Sequence, residues 1–246
     1  MGGNVMTKET MKIPRIFVPS YGPADWRARL ADPLLHWKRK KSAWELAVSW
    51  ESQRETVSGL PPEIENALNA HPFFAAARLI IAIPEHKVPL DGNRRPSQND
   101  LWALIAVTTG LVSVTIEGKA GEEFDKTIDE WLKKESEGKR ERLAFLTSTL
   151  GLKETPGDHI RYQLLHRTAS TLIEAKRWSL QTALMLVQSF SESDSSWSDY
   201  GNFAQLLGIT PQRGVVGGPR NVGGINLFTA WIDSPCASDA VAANAT

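Results

Sequence analysis

The stretch Asn99-Asp100-Leu-Trp-Ala-Leu-Ile-Ala-Val-Thr-Thr-Gly-Leu-Val-Ser-Val-Thr-Ile-Glu117-Gly118-Lys119-Ala120 decides how the chain reads. Two apolar, β-branched runs, Leu101 to Val107 and Leu111 to Ile116, flank Thr108-Thr109-Gly110, the composition of a β-hairpin. Residues two apart on a strand share a face. Glu117 and Lys119 therefore project with Ser113 and Thr115, while Val112, Val114 and Ile116 face the other way. A strand otherwise built for burial ends in a carboxylate and an ammonium side by side, and a second acid, Asp100, stands at the outer end of its partner.

The turn sets where Asp100 falls. A Thr109-Gly110 loop pairs Asp100 with Lys119; a Thr108-Thr109 loop pairs it with Glu117; a three-residue loop turns it to the other face unless a bulge corrects the register. Two-residue hairpin loops favour residues that accept positive φ, which favours Thr109-Gly110. Either two-residue register gathers two carboxylates and a lysine at the open end of the hairpin.

Working outward, 246 residues suffice for a sizeable hydrophobic core in one large domain or two small ones. No apolar run approaches the roughly 18 residues of a membrane span, and the first residues lack a secretory signal pattern. The single cysteine, Cys236, excludes an internal disulfide framework and a cysteine-based zinc site. A cytoplasmic location with no membrane partner is the expectation. Lys plus Arg equals Asp plus Glu, 28 each, so nothing global advertises polyanion binding and any such contact must come from local patches.

Residues 1–12 read as a loose leader and Ile13 to Val18 as a short strand. A helix beginning at Asp25 is interrupted by Asp32-Pro33. The run Lys38, Arg39, Lys40, Lys41 beside His36 and Trp37 is either a phosphate-contacting patch or a solvated surface run. Ser42 caps a helix to about Gln53, and Leu60-Pro61-Pro62 opens another to about Asn69. Leu79 to Ile83 suits a buried strand reaching past Pro84 as far as Val88. The loop that follows carries Arg94 and Arg95 just upstream of Asp100.

After the hairpin, Glu122 to Lys134 is amphipathic, Glu137 to Arg142 is a solvated charge cluster, and Leu143, Leu146 and Leu150 continue a helix that Gly151 ends. A longer helix over His159 to Lys176 buries Ile160, Leu164, Leu165, Leu172 and Ile173. Its other side carries Gln163, His166, Arg167, Ser170 and Glu174. Ala183 to Val187 is a short buried strand, and Asn202 to Leu207 a short helix. The glycine-rich Arg213–Gly224 lacks a P-loop lysine and reads as a flexible turn feeding a strand over Ile225 to Ile232. Ser234 to Thr246 reads as a disordered tail.

Two converging carboxylates make a hard-oxygen site suited to Mg²⁺ or Mn²⁺, and the Gly118 carbonyl lies between them as a further ligand. Lys119 on the same face can orient an attacking water or stabilise charge on phosphorus. No Ser-His-Asp or Cys-His spacing competes, so phosphodiester hydrolysis suits the set better than acyl transfer.

The order helix, strand, hairpin with Asp100 and Glu117-x-Lys119, helix, strand resembles the PD-(D/E)XK nuclease superfamily over roughly Pro61 to Gln188. Asp100, Glu117 and Lys119 match its catalytic positions, although Asn99 stands where that family has proline. The resemblance implies an α/β, restriction-endonuclease-like core, a small mixed sheet flanked by helices. It implies a nuclease domain over 61–233, with residues 1–60 as a tryptophan-rich helical extension, 234–246 as a tail and a helical insertion after Lys119. It further implies Mg²⁺ or Mn²⁺ at Asp100, Glu117 and Gly118, and nucleic acid, DNA first, as substrate. Gln163, His166 and Arg167 lie on the helix such proteins turn toward the scissile phosphate, and Glu45 is placed to donate an extra acid. Lys38 to Lys41, Arg94 and Arg95 would meet the backbone, and a homodimer is admitted. The competing reading is a non-cleaving nucleic-acid-binding or protein-interaction module on the same fold.

Overall fold

The structure, a computed structural model, describes residues 22–91, 95–190 and 196–237. The strand expected over Ile13 to Val18, Arg94 and the tail beyond Ala237 lie outside the described residues.

The element order is α1 (Ala24–Arg27), α2 (Pro33–His36), α3 (Ser42–Glu51), α4 (Pro62–Ala70), β1 (Arg78–Val88), β2 (Ser97–Val107), β3 (Gly110–Lys119), α5 (Ile128–Leu132), α6 (Glu137–Thr149), α7 (Tyr162–Arg177), β4 (Thr182–Ser189), α8 (Trp197–Leu206), β5 (Val216–Val222) and β6 (Ile225–Asp233). The six strands form one mixed sheet in the order β1-β2-β3-β4-β6-β5. β1, β2 and β3 are an antiparallel meander, β4 runs parallel to β3 and β6, and β5 pairs antiparallel with β6. The architecture is therefore α/β, a small mixed sheet flanked by helices.

Strand periodicity explains the two layers. Val112, Val114 and Ile116 of β3, with Leu184 and Leu186 of β4 and Phe228, Ala230 and Ile232 of β6, face α3 and α4, and one apolar cluster joins them to Trp26, Leu46, Trp50 and Ile64. The alternate residues Ala183, Met185 and Val187, with Leu227 and Trp231, meet Leu164, Leu165 and Leu172 of α7. Each central strand is thus buried on both faces, as its continuous apolar run requires. α1 and α3 share this cluster through Trp26, Leu46 and Trp50, whereas α2 buries none of its residues.

Several elements differ from expectation for local reasons. The hairpin turn is Thr108-Thr109, since Val107 pairs with Gly110 and Leu101 with Ile116. Both threonines keep negative φ, and the positive φ falls on Gly110, at 139°, just after the turn. Thr108 N donates to Ala75 O and Thr109 Oγ1 to Phe73 O, which anchors this register. Ser42 is the first helical residue of α3 and not its cap. Glu122 to Lys126 stay out of the helix, which starts only after Thr127, where Thr127 and Glu130 form a reciprocal capping box. The glycine-rich Arg213–Gly224 is largely the edge strand β5, turned into β6 by Gly223 and Gly224 at φ 57° and 87°. Arg142 is not in a solvated cluster: it is buried within α6 and bound to Asp91 Oδ1 at 2.7 Å.

Candidate functional site

Three adjacent strands carry acids that face one another near one end of the sheet. Continuing the β2–β3 register one step beyond Leu101–Ile116 sets Asp100 opposite Glu117, not opposite Lys119 as the favoured turn reading had it. On the other side of β2, the pairs Pro84–Leu101 and His86–Asn99 bracket Glu85, which lies opposite Asp100. Glu85, Asp100 and Glu117 thus form a row across β1, β2 and β3. Glu85 stands at φ 55°, a left-handed conformation inside a strand. Sequence reasoning missed it. The available signal was the acid directly after Pro84, where the proline interrupts the ladder and local backbone is free to bend.

The helix α7 covers this row from the side of the sheet that carries Ser113 and Thr115. Gln163, His166 and Arg167 lie at i, i+3 and i+4 and share a face. Arg167 Nε donates to Glu117 Oε2 at 2.5 Å, and its Nη2 reaches Asp100 Oδ1 at 3.4 Å. Gln163 Nε2 donates to Glu117 Oε1 at 2.6 Å, and Lys119 Nζ reaches the same oxygen at 3.0 Å and Gln163 Oε1 at 3.2 Å. The ammonium also lies 4.6 Å from the centre of the Phe124 ring. Gly118 N donates to Asp100 Oδ2 at 2.9 Å, and Gln98 Nε2 to Glu85 Oε2 at 2.6 Å. Asp100, Glu117, Gly118, Lys119, Gln163, Arg167 and Glu85 all line one cleft of about 470 Å³, with Lys41 on its rim.

The electrostatics follow from three carboxylates facing two cations. Burial and the neighbouring Glu117 charge push Asp100 up to about 7, against the pull of Arg167, Lys119 and the Gly118 N–H. Burial, with Asp100 adding repulsion, pushes Glu85 up to about 8. Glu117 is buried too, but Arg167 and Lys119 outweigh that burial and hold its carboxyl below the usual range. The charges on Glu117 and Asp100 raise Arg167 in spite of its burial. His166, beside Ser97 Oγ at 2.8 Å, is kept uncharged by burial and by the charges of Arg167 and Arg142.

The remaining candidates separate from this cluster. Glu45 does not supply an acid to the cleft: its two oxygens accept from Lys40 N and Ala237 N, each at 2.8 Å. Lys38, Arg39 and Lys40 are exposed on the loop before α3, and Arg39 lies over the Trp44 ring at 5.8 Å. Arg95 is exposed and lines a second cavity next to the cleft. The Asp100 and Glu117 carboxylates are the groups that could hold a metal. Among the described residues no group of three or more His, Cys, Asp or Glu forms a ready-made metal cage. No helix among them is long and apolar enough to cross a membrane.

Comparison with protein families gives one match, to a domain of unknown function, DUF6946, over residues 19–236. The chain belongs to the DUF6946 family. The matched span of this DUF6946 protein takes in the whole sheet, the helices on both faces and every residue of the cleft. No curated protein and no solved structure matches the chain.

Proposed function

We propose that this DUF6946 protein is a metal-dependent phosphodiesterase acting on nucleic acid, DNA first, through a site of the PD-(D/E)XK type on a restriction-endonuclease-like core. The observation that carries this reading is the meeting of Asp100, Glu117 and Lys119 in one cleft at the open end of the hairpin, with Gln163 and Arg167 closing it from α7.

The donor set suits a hard divalent cation. Asp100 and Glu117 offer carboxylate oxygens from neighbouring strands, and the excess of acid over base in the row is the charge a cation relieves. A Mg²⁺ site resting on one or two carboxylates, waters and substrate phosphates needs no all-protein cage. Asp100 and Glu117 would hold the ion, with the Gly118 carbonyl as third protein ligand. When bound, Mg²⁺ or Mn²⁺ supplies a Lewis acid for a phosphoryl oxygen and lowers the pKa of a water.

The chain's own groups do the rest. Lys119, fixed between Glu117 Oε1 and Gln163 Oε1, presents an ammonium that orients the attacking water and offsets charge developing on the phosphoryl oxygens. Gln163 holds both Lys119 and Glu117, so it positions the pair. Arg167 keeps the Glu117 carboxylate ionised and facing the cleft. Lys41 at the rim and Arg95 beside the cleft are placed to meet backbone phosphates.

The alternative is a module that binds nucleic acid or protein without cleaving. Arg167 favours it, because its guanidinium already bridges Glu117 and Asp100 as an internal cation. Incubation with plasmid, single-stranded DNA and RNA in Mg²⁺ or Mn²⁺, beside Asp100→Ala and Lys119→Ala, separates the two. Metal-dependent cleavage lost in both variants is the expected result. A wild type that cuts nothing, or cleavage that survives both changes, overturns the hydrolase and leaves the binding module.

A further inference from the structure

A second cavity, of about 570 Å³, adjoins the cleft; of its lining, Arg95, Gln163 and Arg167 already serve the phosphodiesterase site, whereas Lys139, Trp131 and Tyr162 have no role there. Its volume lies within the roughly 300–1,000 Å³ of small-ligand sites. It opens between α6 and the first turns of α7, and Gln98, Gln163 and Arg167 line both it and the cleft. A molecule spanning the two would therefore pass across one face of α7.

The lining is basic. Arg95, Lys139, Arg142 and Arg167 contribute to it beside one acid, Asp125; Arg142 is paired with Asp91 and Arg167 with Glu117 and Asp100, so Arg95 and Lys139 are the cations a ligand's charge would meet. Two of these cations are held in place by other protein groups. Arg142 is 8% exposed, with Nη1 donating to Arg95 O at 2.8 Å and Nη2 2.7 Å from Asp91 Oδ1. Lys139 Nζ donates to the Trp131 carbonyl and lies 5.3 Å from the centre of the Trp131 ring. Trp131 in turn stacks on Tyr162, with ring centres 4.1 Å apart and planes within 10°. The result is a cavity with a stiff aromatic wall and cations whose positions need little ordering on binding. Arg95, itself exposed, is the cation with most freedom to close on a ligand.

We infer that this cavity is a phosphate-binding subsite that takes the nucleotide adjoining the scissile bond of a single strand. The inference rests on the phosphodiesterase reading for what occupies the neighbouring cleft. A cavity of this size takes one nucleotide, which in the proposal enters it unpaired. The phosphate can be an internal diester or a terminal monoester, and both present the same charged oxygens to Arg95 and Lys139.

The test is binding of short single-stranded DNA to the full chain in EDTA, with 5′-phosphate, 3′-phosphate or hydroxyl ends, and competition by inorganic phosphate. Arg95→Gln/Lys139→Gln is expected to weaken binding by about tenfold or more and to reduce the salt slope by about 0.7 per removed charge. Arg95→Gln alone, on an exposed side chain, gives a several-fold loss and guards against misfolding of the double variant. Asp100→Asn, which removes the proposed cleavage, keeps or raises affinity. A preference for one phosphorylated end identifies the monoester form of the subsite, and equal affinity for all ends the diester form. Unchanged affinity in both Arg95 variants, or a wild type that binds none of these strands, overturns the subsite. Cleavage by wild type with unchanged binding in the variants would remove the subsite alone. Binding that depends on Arg95 and Lys139 without any cleavage would remove the hydrolase alone.

Discussion

Arg167 Nε meets Glu117 Oε2 at 2.5 Å, and both side chains are more than nine-tenths buried. Replacing one partner of such a pair leaves the other charge desolvated, which costs about 3–5 kcal/mol. Arg167→Met is therefore expected to lower the thermal midpoint by about 10 °C, given roughly 2–4 °C per kcal/mol in a chain of this size. Arg167→Lys restores the charge but not the two-pronged reach to Glu117 and Asp100, so its midpoint falls between. A midpoint unmoved in Arg167→Met would mean that Lys119 and Gln163 alone satisfy Glu117.

The acid row also sets a pH dependence. Asp100, pushed up to about 7, and Glu85, pushed up to about 8, hold protons in the folded state that the unfolded chain has already released at its ordinary carboxylate values of 3.8 and 4.5. Stability then falls as pH rises through that window, because the native state binds more protons. Glu117 has the opposite sign: held below its ordinary value, it contributes stability that is lost as pH falls through its folded pKa. The metal-free protein is expected to melt lower at about pH 8.5 than at about pH 5.5. Asp100→Asn should flatten that difference, and Mg²⁺ or Mn²⁺ should raise the midpoint more at the alkaline end. A wild-type profile as flat as the variant's would refute the coupling.

Gly118 of β3 lies against Ser42 and Leu46 of α3. A Cβ there would stand 3.4 Å from Ser42 Cβ and 3.6 Å from Leu46 Cβ, which is ordinary contact. Gly118→Ala should fold with nearly the wild-type midpoint. Gly118→Leu must push α3 outward, at about 1–3 kcal/mol of overpacking, and should lose activity by shifting Glu117 and Lys119. Denaturant midpoints for the two variants check this, and equal midpoints would show that α3 yields freely.

Glu45 gives a control outside the cleft. Glu45→Ala leaves Lys40 N and Ala237 N without their acceptor, which should cost about 1–3 kcal/mol. Metal-dependent cleavage by the folded fraction should be unchanged. A selective loss of cleavage would return Glu45 to the site.

Much of the fold was legible because the signals were periodic. The alternation in Leu111 to Ile116 placed Glu117 and Lys119 on the face opposite Val112, Val114 and Ile116, and the two sets meet α7 and α3 respectively. The register was legible only as a choice. Rules for loop φ pointed to Thr109-Gly110, but contacts from Phe73 and Ala75, more than thirty residues upstream, fix the turn one residue earlier. Glu85 was hidden although the strand was expected to run past Pro84 to Val88, because nothing local shows which strand pairs with it and sets it opposite Asp100. Arg142 sat in a run of charges, and charge runs are solvated unless a distant partner such as Asp91 buries one member.

The row of acids lies on strands joined by short connections, whereas Arg167 comes 50 residues after Glu117. During synthesis the meander leaves the ribosome before its main counter-ion exists. Until α7 has been made and has docked, Lys119 is the cation that faces Glu117. The cleft therefore has its full lining only once the chain has been translated past Arg167.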